Sequence, residues 1–231
     1  MRKLTYKENL NILYNKFLIN CDESKLVHQE YSKGQFIINE GDKLDSFFFV
    51  LSGKLKVYKN YENGKTLLLI IYDSFTILGD VEYFLKKEAQ CSVEVLSTVR
   101  IVKVPFSYIE SNYRRNIDFL DNILLQLSEK ILSTNDQATL NLMYPLETRL
   151  ASYILSLSED TIDDIVLPNL VDVSNHLGTS YRHLHRTIRK LIDKKAIIKN
   201  KSNIRILNKK LLLEIARGNV YEDQNESFIK V

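Results

Sequence analysis

Short runs of β-branched and aromatic residues, separated by glycines or acidic turns, fill the first half of the chain. We expect strands at residues 35–38, 46–52, 55–60, 65–72, 90–95 and 99–104. The pair Asn63-Gly64 lies between two of these runs and is typical of a type I′ hairpin turn, which needs positive φ angles. About six to eight short strands at this spacing predict a small antiparallel barrel or jelly roll.

The pattern becomes helical after Pro105. Residues 117–141 contain neither glycine nor proline and predict one long helix. Its apolar or small positions recur at alternating spacings of four and three residues, at Leu120, Leu124, Leu127, Ile131, Thr134 and Ala138. Such a heptad seam is typical of helices that pair, so we expect this helix to hold a homodimer together while Ile123 and Leu125 extend its apolar face toward the barrel. The alternative is a single amphipathic helix lying on its own barrel.

The last third of the chain alternates helical and strand signals on a short scale. The periodicity predicts helices at 146–157, 170–177, 181–194 and 209–217, with strands at 196–200 and 203–207. Gly178 separates the second of these helices from the third. Two helices joined by a short turn that contains glycine are typical of a helix-turn-helix motif. A basic hairpin follows it, so the segment predicts a winged helix.

The helix at 181–194 has two chemically different faces. Arg182, Arg186 and Arg189 lie roughly opposite its apolar stripe, as major-groove entry requires, because the arginine fork donates to O6 and N7 of guanine together. Arg182 and Arg186 are nearer the helix start and are expected to read bases, whereas Arg189 is expected to meet phosphate. The other expected DNA contacts are Thr179, Ser180, Tyr181, Lys190, Lys199 and Lys201. A merely solvated basic face is the alternative interpretation.

The distribution of charge supports this interpretation. The chain has 231 residues, with 32 basic and 29 acidic side chains and a net charge of +3. Residues 176–210 contain eleven of the basic residues and one acid, so this segment carries +10 and the remainder −7. Basic charge gathered in one stretch is typical of polyanion binding.

Other chemistry finds little support in the sequence. Cys21 and Cys91 are too few for a disulfide scaffold, a four-thiolate zinc site or an iron–sulfur cluster. His183 and His185 are two residues apart on a helix and point about 200° from each other, so one ion cannot bind both. We therefore expect no metal, no cofactor and no catalytic residue.

The length allows two domains, and no apolar run is long enough for a membrane span. The start of the chain has no apolar leader, so we expect a cytoplasmic protein.

Three blocks of sequence resemble the Crp/Fnr transcription regulators. The first runs Tyr31-x-Lys33-Gly34-x-x-Ile37-x-x-Glu40-Gly41-Asp42 and continues at Phe49-Val50-Leu51-Ser52-Gly53. The second is Thr148-Arg149-Leu150-Ala151, and the third is Leu177-Gly178-Thr179-Ser180-Tyr181-Arg182-His183-Leu184, which most resembles the YeiL-type branch. The resemblance implies an α+β fold with a cyclic-nucleotide-binding-like jelly roll at 1–113, a dimerisation helix at 114–144 and a winged helix-turn-helix domain at 145–231.

The resemblance also implies an effector pocket, in which this chain departs from the members that bind cyclic AMP. The implied pocket residues are Gly79, Asp80, Glu82, Ala89, Gln90, Thr134 and Asn135. The pocket arginine of those members has no counterpart, since no basic residue lies between Lys87 and Arg100. A desolvated phosphate without a cation costs several kcal/mol, so we expect that cyclic AMP is not the effector.

These observations favour a homodimeric, sequence-specific regulator that is not an enzyme. Its expected partners are palindromic double-stranded DNA, RNA polymerase and an unidentified small-molecule effector, with no membrane. Two alternatives remain open: a cupin-like metalloenzyme, which shares the small barrel but needs several histidines, and a nucleotide-sensing module without DNA binding.

Overall fold

The computed structural model describes residues 4–62, 66–73, 75–158, 164–166, 169–200 and 203–217. The chain forms two compact units: one contains Met1–Val57 and Ile71–Ser133, and the other contains Tyr58–Ile70 and Thr134–Glu222. The predicted hairpin turn at Asn63-Gly64 and the predicted DNA contact Lys201 lie outside the described residues.

Eight strands and four α-helices precede residue 144 in the described chain, together with a π-helical turn (Leu13–Phe17) and a 3-10 turn (Glu23–Lys25). The strands are β1 (Val27–Tyr31), β2 (Phe36–Ile38), β3 (Ser46–Ser52), β4 (Leu55–Asn60), β5 (Thr66–Tyr72), β6 (Thr76–Leu78), β7 (Ser92–Val95) and β8 (Val99–Pro105). The helices are α1 (Tyr6–Ile12), α2 (Asp80–Leu85), α3 (Phe106–Asn112) and α4 (Ile117–Met143). A capping box between Thr5 and Glu8 starts α1, because each side chain satisfies a backbone N–H that the first turn leaves unpaired.

The strands form two four-stranded sheets, in the orders β1-β8-β3-β6 and β2-β7-β4-β5. In the first sheet β3 pairs antiparallel with both β8 and β6. All residues of β3 except Ser52 are buried, which agrees with a central strand covered on both faces. The predicted jelly roll is therefore confirmed.

The core of the first unit is aromatic. Phe47 and Phe49 of β3 are completely buried, and Phe17 packs 5.6 Å from Phe49 between ring centroids. Phe119 at the start of α4 meets Phe47 edge-on at 6.2 Å, and Ile123 one turn later is also buried in this core. Edge-to-face rings contribute about 0.5–1.5 kcal/mol beyond their buried area, so these contacts anchor the first turns of α4.

The rest of the described chain is a winged helix-turn-helix. Helix α5 (Leu146–Leu157) follows Pro145 and packs on α7 (Tyr181–Asp193) and α8 (Lys209–Ile215). Before α7 come β9 (Asp164–Val166) and α6 (Leu170–His176), and after it come β10 (Ile197–Asn200) and β11 (Asn203–Ile206). The three strands form an antiparallel sheet in the order β10-β11-β9. The predicted α+β fold class is confirmed, whereas the domain limits at 113 and 144 stay predictions.

No helix among the described residues combines the length and the apolar character that crossing a membrane requires.

Candidate nucleic-acid interface and effector corner

The turn between α6 and α7 positions the start of the recognition helix, α7. Gly178 has φ +58°, a left-handed conformation that glycine adopts without steric cost. Ser180 caps α7, because its hydroxyl accepts a hydrogen bond from the backbone N–H of His183 at 3.2 Å. The hydroxyl of Thr179 lies 3.4 Å from Nδ1 of His183. Thr179 and Ser180 therefore sit at the helix start, where the sequence predicted them, and their hydroxyls serve the turn.

A buried stripe holds α7 in place. Leu184, Ile188 and Leu191 are at most 2% exposed, and Thr187 is also buried beside them. The opposite face carries the charge: Arg182, Arg186, Arg189 and Lys190 are all exposed. The predicted arrangement of one anchored face and one basic face is present in the structure. Their contacts with DNA stay predictions.

Two aromatic side chains extend the exposed face of α7. Tyr181 is 50% exposed, and its ring centroid lies 6.2 Å from that of His185, one turn along the helix. His185 is exposed and shares this face with Arg182 and Arg189, at about 100° per residue. With a shared metal ion excluded, the sequence leaves groove or phosphate contact, or plain solvent exposure, for His185. Its spacing of four residues from Tyr181 already indicated that the two rings lie on the same side of the helix.

The support behind the recognition helix comes from α5. Glu147 forms an ion pair with Lys194, just after the end of α7. The guanidinium of Arg149 donates a hydrogen bond to the backbone carbonyl of Leu177, in the turn before α7. These two contacts hold both ends of α7 against α5. In the wing, Lys199 is partly buried on β10, and Arg205 is exposed on β11.

Two residues of the implied effector pocket, Gly79 and Asp80, lie where β6 meets α2, and we call this place the effector corner. Gly79 has φ +85°, and a Cβ added there would come within 2.7 Å of the backbone carbonyl of Ser46, so only glycine fits. Asp80 follows it and is 2% exposed. Its carboxylate accepts hydrogen bonds from Nζ of Lys130 on α4, at 2.8 and 2.6 Å.

Lys130 is a residue of this corner that the sequence did not reveal. It lies 50 positions from Asp80 in the chain, so no local motif connects the two. The sequence argument against a cation in the effector pocket rested on the residues between Lys87 and Arg100. The structure brings a cation to this corner from α4, outside that stretch. This ammonium is already engaged by Asp80 and by the backbone carbonyl of Ile77.

The other implied pocket residues differ in their exposure. Glu82 is partly buried close to Asp80 and Lys130, and burial raises the pKa of its carboxyl group. Ala89 is 2% exposed, so its methyl group is part of the packed interior. Gln90, Thr134 and Asn135 are exposed, the last two on α4. Among the described residues, no group of three or more potential ligands is placed to hold a metal ion.

The residues of the predicted α4 seam differ in burial, some of them packing against the core of the first unit and others being exposed. Leu120 and Leu127 are partly buried against the aromatic core. Leu124 and Ile131 are 63% and 61% exposed, and Thr134 and Ala138 are exposed as well. The apolar stripe that remains open is extended at the helix end by Leu142 and Met143, which are 84% and 77% exposed.

Comparison with known proteins agrees with this architecture. A family model for the cyclic nucleotide-binding domain matches residues 28–116, and one for the Crp-like helix-turn-helix domain matches residues 148–215. Regulatory protein YeiL of Escherichia coli O157:H7 is 25% identical over 194 residues, 84% of this chain and 86% of its own.

Two solved structures share the fold. A Crp/Fnr family protein from Eubacterium rectale aligns with a TM-score of 0.75 at 17% identity, covering 84% of this chain and 91% of its own. The c-di-GMP responsive global regulator CLP of Xanthomonas campestris aligns with a TM-score of 0.67 at 14% identity, covering 79% and 94%.

A nucleotide-binding-type barrel, a long helix and a winged helix with a basic recognition face define a DNA-binding transcriptional regulator. Both family models and the relatives place the chain in one family. The protein belongs to the Crp/Fnr family of transcription regulators.

Proposed function

We propose that this regulator acts as a homodimer that reads a palindromic DNA site with one recognition helix from each chain. The observation that carries the proposal is the exposed arginine face of α7, formed by Arg182, Arg186 and Arg189, opposite a fully buried stripe. A rigid helix with one anchored face and one guanidinium face fits the major groove, which is wide enough for a helix.

Dimerisation is proposed to use the open stripe of α4. Leu124 and Ile131 are both more than half exposed and lie seven residues apart, the repeat of a coiled-coil seam. Pairing about a two-fold axis gives two recognition helices and hence two half-sites, with centres about 34 Å apart. Regulators of this family bind DNA as dimers, which supports the same arrangement.

The proposed DNA contacts fall into two groups, those that read bases and those that meet phosphates. Arg182 and Arg186 read bases, while Arg189, Lys190 and Lys199 meet phosphates together with Lys201. The helix start at Thr179, Ser180 and Tyr181 also meets phosphate, since the positive end of the helix dipole favours an anion. We further propose that the protein contacts RNA polymerase, works in the cytoplasm, catalyses no reaction and does not respond to cyclic AMP.

Selection of bound DNA from a random library tests the proposal with the purified full chain. We expect a palindromic consensus and a complex of two chains per site, the latter measured by sedimentation. A consensus without two-fold symmetry, or one chain per site, contradicts the dimeric mode. Recovery of no consensus at all contradicts sequence-specific binding.

The effector is tested on the same selected site. DNA affinity is measured with and without cyclic AMP, and separately with c-di-GMP, to which the relative from Xanthomonas campestris responds. Cyclic AMP is expected to leave the affinity unchanged. A tenfold gain in DNA affinity with micromolar cyclic AMP contradicts this part of the proposal.

A further inference from the structure

One enclosed ion pair joins α4 to the corner between β6 and α2. The side chains of Lys130 and Asp80 are 15% and 2% exposed. Nζ of Lys130 donates to both carboxylate oxygens of Asp80 and to the backbone carbonyl of Ile77. A lysine ammonium has three N–H donors, so these three bonds use all of them. The ammonium of Lys130 is therefore saturated by the chain itself.

The acidic partner in this pair is held by a rigid corner. Gly79, directly before Asp80, has φ +85° and lies so close to the carbonyl of Ser46 that a Cβ would meet it at 2.7 Å. Asp80 also begins α2, whose first turn closes with a hydrogen bond of 3.0 Å from the N–H of Tyr83 to the carbonyl of Gly79. Lys130 thus binds a carboxylate that has little freedom to follow it.

The basic partner sits beside the open apolar stripe of α4. Ile131, the next residue, is 61% exposed, and Leu124 is 63% exposed two turns earlier. Successive helical residues differ by about 100° in direction, so fixing Lys130 fixes the direction in which Ile131 points. Three acceptors of the corner surround Nζ of Lys130, so the ammonium has one favoured position there, two helical turns beyond the buried side chain of Ile123.

We propose that the Lys130–Asp80 pair is a built-in tie that sets the rotation of α4, and that DNA binding by the dimer depends on this tie rather than on a small molecule bound at the same corner. The proposal rests on the dimeric DNA-binding function proposed above. A ligand that used Asp80 would have to displace an ammonium whose donors are all satisfied, and would leave Lys130 unpaired where little water reaches it.

The test removes the tie while keeping the interior filled. In the double variant Lys130→Met with Asp80→Leu, an apolar contact replaces the ion pair, an exchange that is often neutral for stability. We expect Tm to stay within about 5 °C of the wild type. We also expect faster amide hydrogen exchange in α4 and at least tenfold weaker binding to the selected DNA site, because an apolar contact does not fix the rotation.

The charge of Asp80 is tested by a single variant, and an exposed ion pair elsewhere in the same unit serves as the control. Asp80→Asn keeps the side-chain shape and removes the charge; it is expected to speed exchange in α4 and weaken DNA binding in the same direction. The matched control is Glu30→Gln, which breaks the ion pair with Arg100 in the same unit, where both side chains are more than half exposed. This control is expected to leave α4 exchange and DNA affinity unchanged.

Each outcome decides the proposal. Wild-type exchange in α4 and wild-type DNA affinity in both Asp80 variants would overturn the tie. A tenfold gain in wild-type DNA affinity on adding millimolar cyclic AMP or c-di-GMP would overturn the independence from a ligand, provided that the double variant no longer shows the gain. If the wild type selects no DNA site, the proposed function fails instead, and hydrogen exchange in α4 still decides whether the tie exists.

Discussion

The open stripe of α4 gives a prediction whose size follows from the exposure of one side chain. Complete burial of an isoleucine side chain is worth about 1.5–3 kcal/mol. With 61% of Ile131 exposed in the single chain, burial at a two-fold interface adds roughly 1–2 kcal/mol per chain. Both chains of the dimer lose this side chain in Ile131→Ala, but alanine keeps part of the buried area. The substitution should therefore weaken the dimer by about 1–2.5 kcal/mol in total, a rise of about 5–70-fold in Kd.

Sedimentation equilibrium of the full chain measures this constant directly. The matched control is Leu85→Ala at the end of α2, where the side chain is 59% exposed but lies outside α4. The control is expected to leave the dimer unchanged. If Ile131→Ala and Leu85→Ala give the same dissociation constant as the wild type, the stripe does not form the interface and the reasoning from exposure is wrong.

Three further predictions concern DNA reading, packing and pH. Arg186→Ala should cost about 1–3 kcal/mol on the selected site and little on random DNA, whereas Lys190→Ala should weaken both alike; equal losses for Arg186→Ala in filter binding contradict base reading. Ile188 is 2% exposed, so Ile188→Ala should lower the free energy of unfolding in urea by about 2–5 kcal/mol, and a loss below about 1 kcal/mol contradicts its role as an anchor. Burial raises the pKa of Glu82 above its ordinary value of 4.5, so its contribution to stability is present below that value and lost as pH rises through the raised one. Glu82→Gln should therefore flatten the dependence of unfolding free energy on pH, and an unchanged pH profile contradicts this.

Long, strongly patterned elements were predictable from the sequence. Helix α5 was predicted with its observed bounds, and α4 differs from its prediction only by two residues at its end. The two faces of α7 also followed from periodicity, because its apolar and arginine sets each repeat with the helical period and lie on opposite sides.

Short or exposed elements were missed for a physical reason. The edge strand β1 (Val27–Tyr31) has no buried residue and therefore no alternation to detect, and β6 has only three residues. The Lys130–Asp80 pair depends on tertiary structure, which brings together side chains 50 positions apart. No pattern within a local window contains that information.

The separation of faces on α7 has a consequence for how such a regulator can change over generations. Tyr181, Arg182 and Arg186 project away from the packed interior, while Leu184 and Ile188 alone among these five maintain it. Substitutions on the outer set leave the packing and the cap at Ser180 in place, and exposed positions of this kind usually change stability by less than about 0.5 kcal/mol. Given the proposed base reading by Arg182 and Arg186, one copy can therefore acquire a new operator after a gene duplication, one side chain at a time, without passing through an unfolded intermediate.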